Sequence, residues 1–166
     1  MYFATLSSPH PSTAGLDASR LDPPLRATSQ PALCKDGLYY PLPYPDMRAV
    51  IEAGADEAAS HAADSPLLDA RLLAPLHPTT LRDAYAFEGH VKTANKNRRR
   101  DVPKEWYEFP VFYYTNPHSI FRPDDEIPYP RYTSALDYEL EIAVVIGKAG
   151  MDIKVEEAEN HIFGYT

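Results

Sequence analysis

Two glutamates, Glu139 and Glu141, lie two residues apart in the segment LDYELEIAVVIGK. Apolar residues alternate through this segment, which predicts a β-strand; they are Tyr138, Leu140, Ile142, Val144 and Ile146. Because residues i and i+2 of a strand point to the same face, we expect the two carboxylates to lie close together. Carboxylates that close repel each other unless water screens them, one takes up a proton, or a cation binds between them. Oxygen ligands of this kind favour Mg²⁺, Ca²⁺ or Mn²⁺ over softer metals.

The glutamate pair also has a simpler interpretation, as the polar outer face of a half-exposed antiparallel strand. The same face continues as Ala143 and Val145, however, which indicates that it is covered further along the strand. The pattern alone leaves both interpretations open.

Asp83 and His90 form a second candidate pair, seven residues apart in the segment LRDAYAFEGHVKTANK. Apolar residues recur there at helical spacing and Thr80 is a suitable N-cap, so we predict one helix of about 15 residues beginning at Leu81. In such a helix Asp83 and His90 lie two turns apart on nearly the same face, with Phe87 between them. A carboxylate and an imidazole in one cleft supply a metal ligand and a general base. The alternative is a solvated Asp in the first helical turn, favoured by the helix dipole, and an unrelated His.

A basic cluster, Arg98–Arg100, follows Lys96. Guanidinium groups bind carboxylates in a bidentate fork, so the cluster is a candidate for holding a substrate carboxylate. A solvated loop is the commoner role of such a run. The turn-rich segment further on is predicted to be a surface loop; it contains His118, Asp124, Asp125 and Glu126.

The composition limits the class of partner. The 166 residues carry a net charge of −8, whereas non-specific nucleic-acid binding depends on clustered Lys and Arg. A small molecule is therefore the expected partner. Cys34 is the single cysteine, so neither a disulfide framework nor a cysteine-based zinc site is predicted. No basic and apolar signal segment begins the chain, and no run approaches the ~18 apolar residues of a membrane span, so we predict a cytoplasmic protein.

The elements that must position these residues are predicted with unequal clarity. The first 50 residues hold eight of the 17 prolines and show little periodicity apart from the run at 37–40. A helix is predicted from Pro45, with Asp46 as N-cap and with Gly54 weakening it. Residues 64–80 are predicted to be a proline-rich connector.

The second half of the chain is predicted to be mainly strand. The segment EFPVFYYT is predicted to be a strand despite its proline, and a short helix at about 154–160 is predicted to lead into a strand, HIFGYT. Since nothing closes this last strand, we expect that further sequence once followed it.

The motifs together resemble the fumarylacetoacetate hydrolase family, over about residues 72–166. The family signature is a Glu-x-Glu on an apolar strand, as in LDYELEIAVVIGK, followed by a Gly-Tyr-Thr strand, as in HIFGYT. The segment LRDAYAFEGHVKTA resembles the fumarylacetoacetase-like branch, in which an Asp is followed seven residues later by a catalytic His.

The resemblance implies a role for each candidate residue. Asp83, Glu139 and Glu141 are implied to be ligands of a divalent cation, Mg²⁺ or Ca²⁺, with Mn²⁺ as an alternative. His90 is implied to be the base that activates water. Tyr85 and Arg99 are implied to contact the substrate. A further Asp ligand of the family, and its later Lys and Glu groups, fall after Thr166.

The implied activity is metal-dependent hydrolysis of a carbon–carbon bond in a 1,3-diketo acid, such as fumarylacetoacetate or an acylpyruvate. The alternatives are a truncated or degenerate homologue that binds a cation weakly or only dimerises, and a family decarboxylase or isomerase of keto acids. The implied fold is α+β and mainly β, with a small Pro-rich N-terminal region at residues 1–75 and the start of a mixed β-roll catalytic domain at residues 76–166. A homodimer is implied by analogy.

Overall fold

The computed structural model describes residues 1–7 and 29–166. These residues form two compact units, one of Met1–Leu76 with Phe121–Thr166 and the other of His77–Ile120. The first unit is therefore assembled from both ends of the sequence. The predicted division of the chain into domains stays a prediction.

The first unit contains a four-stranded antiparallel sheet with the strand order β3-β2-β1-β4. Its strands are β1 (Tyr2–Ser7), β2 (Ser29–Lys35), β3 (Leu38–Pro41) and β4 (Arg71–Leu72). β2 and β3 are joined by Asp36 and Gly37, both with positive φ, as a two-residue hairpin turn requires. The sequence pattern does not predict β1 or β2. Pro31 lies inside β2, an interior strand, where proline is normally excluded.

Two short helices, α1 (Met47–Ala53) and α2 (Ala55–Ser60), lie between β3 and β4 in the chain. The predicted N-cap is confirmed, because the Asp46 side chain accepts a hydrogen bond from the Ala49 N–H at 3.0 Å. The predicted helix is interrupted at Gly54, whose φ of 89° is not helical. The core of this region is formed by the buried side chains of Leu42, Met47, Val50 and Ala58.

The C-terminal part of the first unit is a strand pair, β7 (Val144–Ile146) and β8 (Ile162–Tyr165), separated by a 3₁₀ helix at Val155–His161. The predicted short helix and the strand after it are confirmed. Phe163 of β8 packs against Phe3 of β1, with ring centroids 5.6 Å apart. The residue directly after β7 is Gly147, and the strand pair requires glycine there, because a Cβ would lie 2.9 Å from the Phe163 Cβ.

The strand predicted over LDYELEIAVVIGK is much shorter than expected, since only residues 144–146 are strand. Pairing extends one residue further, where Ala143 and Thr166 exchange hydrogen bonds of 2.7 and 2.9 Å. The apolar side chains before that point are not buried: Tyr138, Leu140 and Ile142 are 86, 93 and 71% exposed. The glutamate face is the better covered one, because its members Ala143 and Val145 are half-buried, as predicted.

The second unit consists of β5 (Leu81–Ala84), α3 (Glu88–Asn97), α4 (Glu105–Glu108) and β6 (Phe112–Thr115). The strand predicted in EFPVFYYT is confirmed at its second half. The helix predicted from Leu81 is wrong over its first half, because residues 81–84 pair antiparallel with β6. Its second half is α3, anchored by the buried Val91.

The predicted mixture of helices and sheets is confirmed, and within residues 1–7 and 29–166 the three sheets are antiparallel. In that described part of the chain, no helix has the length and apolar character needed to cross a membrane.

Candidate functional site

Asp83 and His90 lie on different elements of the second unit. Asp83 is in β5, opposite Tyr113 of β6, whereas His90 is in the first turn of α3. The predicted arrangement of both residues on one helical face is therefore wrong. The reason is the β5–β6 pairing, which joins segments about 30 residues apart in sequence and outweighs the local helical pattern of residues 81–87. Both side chains are exposed.

Tyr85 connects these two elements. Its ring meets the His90 ring edge to face, with centroids 5.3 Å apart and an interplanar angle of 87°. This is a favourable aromatic geometry, since the electropositive edge of one ring faces the electron-rich face of the other. The imidazole therefore contacts Tyr85, a predicted substrate-binding residue, and is exposed to solvent.

Trp106 contacts one of the candidate site residues, and the sequence pattern did not indicate this. Its indole N–H donates a 2.8 Å hydrogen bond to the backbone carbonyl of Tyr85, and the Tyr85 N–H donates to the Val111 carbonyl at 3.3 Å. The backbone that carries Tyr85 is therefore held on both sides. The only available signal in the sequence was that Trp106 is the single tryptophan.

Glu88 precedes His90 by two residues and is already engaged. Its carboxylate lies 2.9 Å from the Lys92 ammonium and accepts a 2.9 Å hydrogen bond from the Tyr107 hydroxyl. The hydrogen bond from Lys92, followed by that from Tyr107, lowers the pKa of Glu88 below its ordinary value, and the same contacts raise the pKa of Lys92 and of Tyr107. Glu88 therefore joins α3 to α4 rather than acting as a free base.

Arg99 follows the C-terminus of α3 in the left-handed region, with a φ of 54°. Its N–H donates to the Lys96 carbonyl and the Arg100 N–H donates to the Asn95 carbonyl, each at 3.0 Å. These two bonds define a Schellman motif, whose left-handed position is usually occupied by glycine. The side chain borders an open depression of about 450 Å³ that is lined mainly by cations: Lys92, Lys96, Arg99 and Arg100, with Asp101 and Val102.

Glu139 and Glu141 belong to the first unit, in an irregular segment that leads into β7. Both side chains are exposed. The antiparallel pairing with β8 covers residues 143–146, so Glu139 and Glu141 lie before the paired part of the segment.

The predicted donor set fits a hard divalent cation in its chemistry, since it contains three carboxylates and no sulfur or imidazole. Asp83 belongs to the second unit and the two glutamates to the first. That these three bind one cation stays a prediction.

The surface loop predicted around His118 and Asp125 contains local structural contacts. The His118 N–H donates to the Asn116 side chain at 3.0 Å. The Asp125 carboxylate accepts hydrogen bonds from the Arg122 backbone and guanidinium, both at 3.0 Å, and from Arg71 at 3.3 Å. These hydrogen bonds account for the presence of a carboxylate at Asp125, so no catalytic role is needed to explain it.

Comparison with known proteins identifies the family. The family described as Fumarylacetoacetate (FAA) hydrolase C-terminal matches residues 79–166, more than half of the chain. The chain therefore belongs to this enzyme family. The structure is similar to that of fumarylacetoacetate hydrolase from psychrophilic Exiguobacterium antarcticum, with a TM-score of 0.59 and 27% identity, covering 84% of this chain and 50% of that one.

Curated relatives include proteins named for a different reaction. The chain is 36% identical over 110 residues to human oxaloacetate tautomerase FAHD2A, mitochondrial, covering 63% of this chain and 32% of that protein. It is 43% identical over 65 residues to the Xenopus laevis oxaloacetate tautomerase fahd2, mitochondrial, covering 39% of this chain and 19% of that protein. It is 42% identical over 67 residues to oxaloacetate tautomerase YisK of Bacillus subtilis, covering 40% of this chain and 21% of that protein. The chain thus matches no more than a third of the length of these three relatives.

Proposed function

We propose that the protein is a divalent-metal-dependent hydrolase of the fumarylacetoacetase-like branch, which cleaves a carbon–carbon bond in a 1,3-diketo acid such as fumarylacetoacetate or an acylpyruvate. The observation that carries this proposal is the family match over residues 79–166, which includes every predicted site residue. We propose the mixed β-roll of the family for the catalytic domain, and a cytoplasmic homodimer for the assembly.

Asp83, Glu139 and Glu141 would hold Mg²⁺ or Ca²⁺. A bound divalent cation supplies Lewis-acid polarisation of a keto oxygen. All three side chains are exposed, so their carboxylate oxygens are accessible to a cation.

His90 would be the general base that takes a proton from the attacking water. The edge-to-face contact with Tyr85 supports this assignment, because it favours one orientation of the ring and leaves the imidazole accessible. Arg99 would bind a carboxylate of the substrate, in line with the cations that surround the neighbouring depression.

The metal site is tested by calorimetry of Mg²⁺ and Ca²⁺ binding to the chain. We expect Glu139→Gln with Glu141→Gln to weaken binding by at least about 100-fold, because even an outer-shell partner contributes about 10- to 100-fold. Asp83→Asn is expected to have a comparable effect. The matched control is Glu156→Gln with Glu157→Gln, which removes two exposed charges from the 3₁₀ helix. Equal losses in the control and in the site variant would show that only net charge matters.

The reaction is tested by the ultraviolet absorbance of acetylpyruvate, with and without EDTA. We expect a metal-dependent loss of absorbance that His90→Gln slows by about 10²- to 10⁴-fold while cation binding is unchanged. No metal-dependent loss in the wild-type chain would contradict the hydrolase proposal.

A second candidate function, oxaloacetate tautomerisation, is favoured by the names of the human, Xenopus and Bacillus relatives. It predicts that the protein accelerates keto–enol interconversion of oxaloacetate and leaves acetylpyruvate intact. The same absorbance assay with both substrates separates the two functions.

A further inference from the structure

A small apolar pocket of about 120 Å³ lies in the second unit beside Tyr85. The pocket is lined by Ala84, Tyr85, Ala86, Trp106, Phe109, Pro110 and Val111. It is separate from the cationic depression near Arg99, with which it shares no residue.

Two N–H donors of the Tyr85 and Trp106 wall are already paired. The indole N–H of Trp106 is donated to the Tyr85 carbonyl, and the Tyr85 N–H is donated to Val111. A carboxylate placed against this wall would lose water without gaining these donors, which is unfavourable. An alkyl group would lose nothing and would gain from leaving water. The pocket therefore favours an apolar guest.

The size of the pocket limits the length of that guest. A protein cavity of about 150 Å³ holds benzene, and a water-sized group takes about 30 Å³, so this pocket accommodates a tail of about four carbons. Tyr85 lines the pocket and its ring also contacts the His90 ring, so the pocket and the candidate base are joined through one residue.

We propose that this pocket binds a short alkyl tail on the acyl side of the keto acid substrate, and so selects acyl-bearing keto acids over oxaloacetate. The inference rests on the proposed function, because it assigns the tail to the substrate of His90. Oxaloacetate has a carboxylate at each end and offers no alkyl group to the pocket.

The test uses the fluorescence of Trp106, which reports on the pocket without interference because the chain has one tryptophan. The chain is titrated with unbranched 2-oxo acids from pyruvate to 2-oxooctanoate, and with oxaloacetate. We expect affinity to rise about 3- to 4-fold for each added methylene until the pocket is full, and then to level off. Oxaloacetate is expected to leave the emission of Trp106 unchanged.

Ala86→Leu fills the pocket from an exposed position, so it is not expected to disturb the core. It should remove the dependence of affinity on tail length. Ala135→Leu adds the same side chain at an exposed position of the first unit and should leave that dependence intact.

Titrations with and without Mg²⁺ separate this proposal from the proposed function. Removal of Mg²⁺ is expected to lower the affinity for every acid by the same factor and to preserve the increase in affinity with tail length. If affinity rises with tail length but does not depend on Mg²⁺, the pocket proposal is supported and the metal-dependent function is contradicted. An affinity independent of tail length in the wild-type chain, or the same dependence in Ala86→Leu, overturns the pocket proposal whatever the metal does.

Discussion

Asp125 shows how a single residue of this chain responds to pH. The hydrogen bonds from the Arg122 side chain and backbone, with the charge of Arg71 contributing less, lower the pKa of its carboxyl. A carboxyl with a lowered pKa in the folded state stabilises the fold above its unfolded-state pKa of about 4, and that stabilisation is lost as pH falls through the folded-state pKa.

We therefore predict that Asp125→Asn lowers the melting temperature at neutral pH and that the difference from wild type disappears in acid. Thermal unfolding followed by circular dichroism at about pH 7 and about pH 2.5 measures both. Asp124→Asn is the control, because this substitution removes the same charge from the neighbouring residue and leaves the hydrogen bonds of Asp125 in place. A difference that persisted unchanged in acid would mean that the Asp125 charge is not the cause.

At the scale of elements, the end of α3 combines a stable motif with an unfavourable residue. Arg99 occupies the left-handed position of the Schellman motif, where an L-residue with a side chain is less stable than glycine. We predict that Arg99→Gly stabilises the second unit by about 1 kcal/mol, measured by urea unfolding, and weakens keto acid binding.

Arg98→Gly provides the matched control for that prediction. Arg98 has a φ of −88°, so glycine relieves no strain there while the same charge is removed. If both variants changed stability equally, the left-handed backbone at Arg99 would not be the source of the effect.

Elements defined by local signals were predictable, and those defined by distant partners were not. Asp46 caps α1 through a bond that spans three residues, and the sequence was sufficient to predict it. Residues 81–84 have a helical pattern but form β5, because their partner is β6 at residues 112–115. The alternating pattern around Glu139 and Glu141 predicted a strand, yet their backbone is not strand, because pairing ends at Ala143. Trp106 could not be assigned, since its role depends on contact with Tyr85, 21 residues away.

At the scale of the whole molecule, the N-terminal region is an integral part of the first unit. Residues 1–75 had been predicted to be a poorly matched region, and they lie outside the family match. Nevertheless β1 and β8 meet through Phe3 and Phe163, and Phe163 also packs against the core of Leu42, Met47 and Val50. The segment that carries Glu139 and Glu141 therefore belongs to a unit whose core is built largely from the N-terminal sequence.

The aromatic pair provides a direct test of this arrangement. We predict that Phe3→Leu and Phe163→Leu each destabilise the first unit and that a double-mutant cycle gives a coupling energy of about 0.5 to 1.5 kcal/mol, since the tilted ring contact is lost in either single variant. Urea unfolding of the four chains measures the coupling. Tyr165→Leu replaces Phe163→Leu in the control cycle, because Tyr165 lies on the same strand but is exposed, so its effect should add to that of Phe3→Leu within about 0.5 kcal/mol. A coupling no larger than in the control would mean that the contact between the Phe3 and Phe163 rings does not join β1 to β8 energetically.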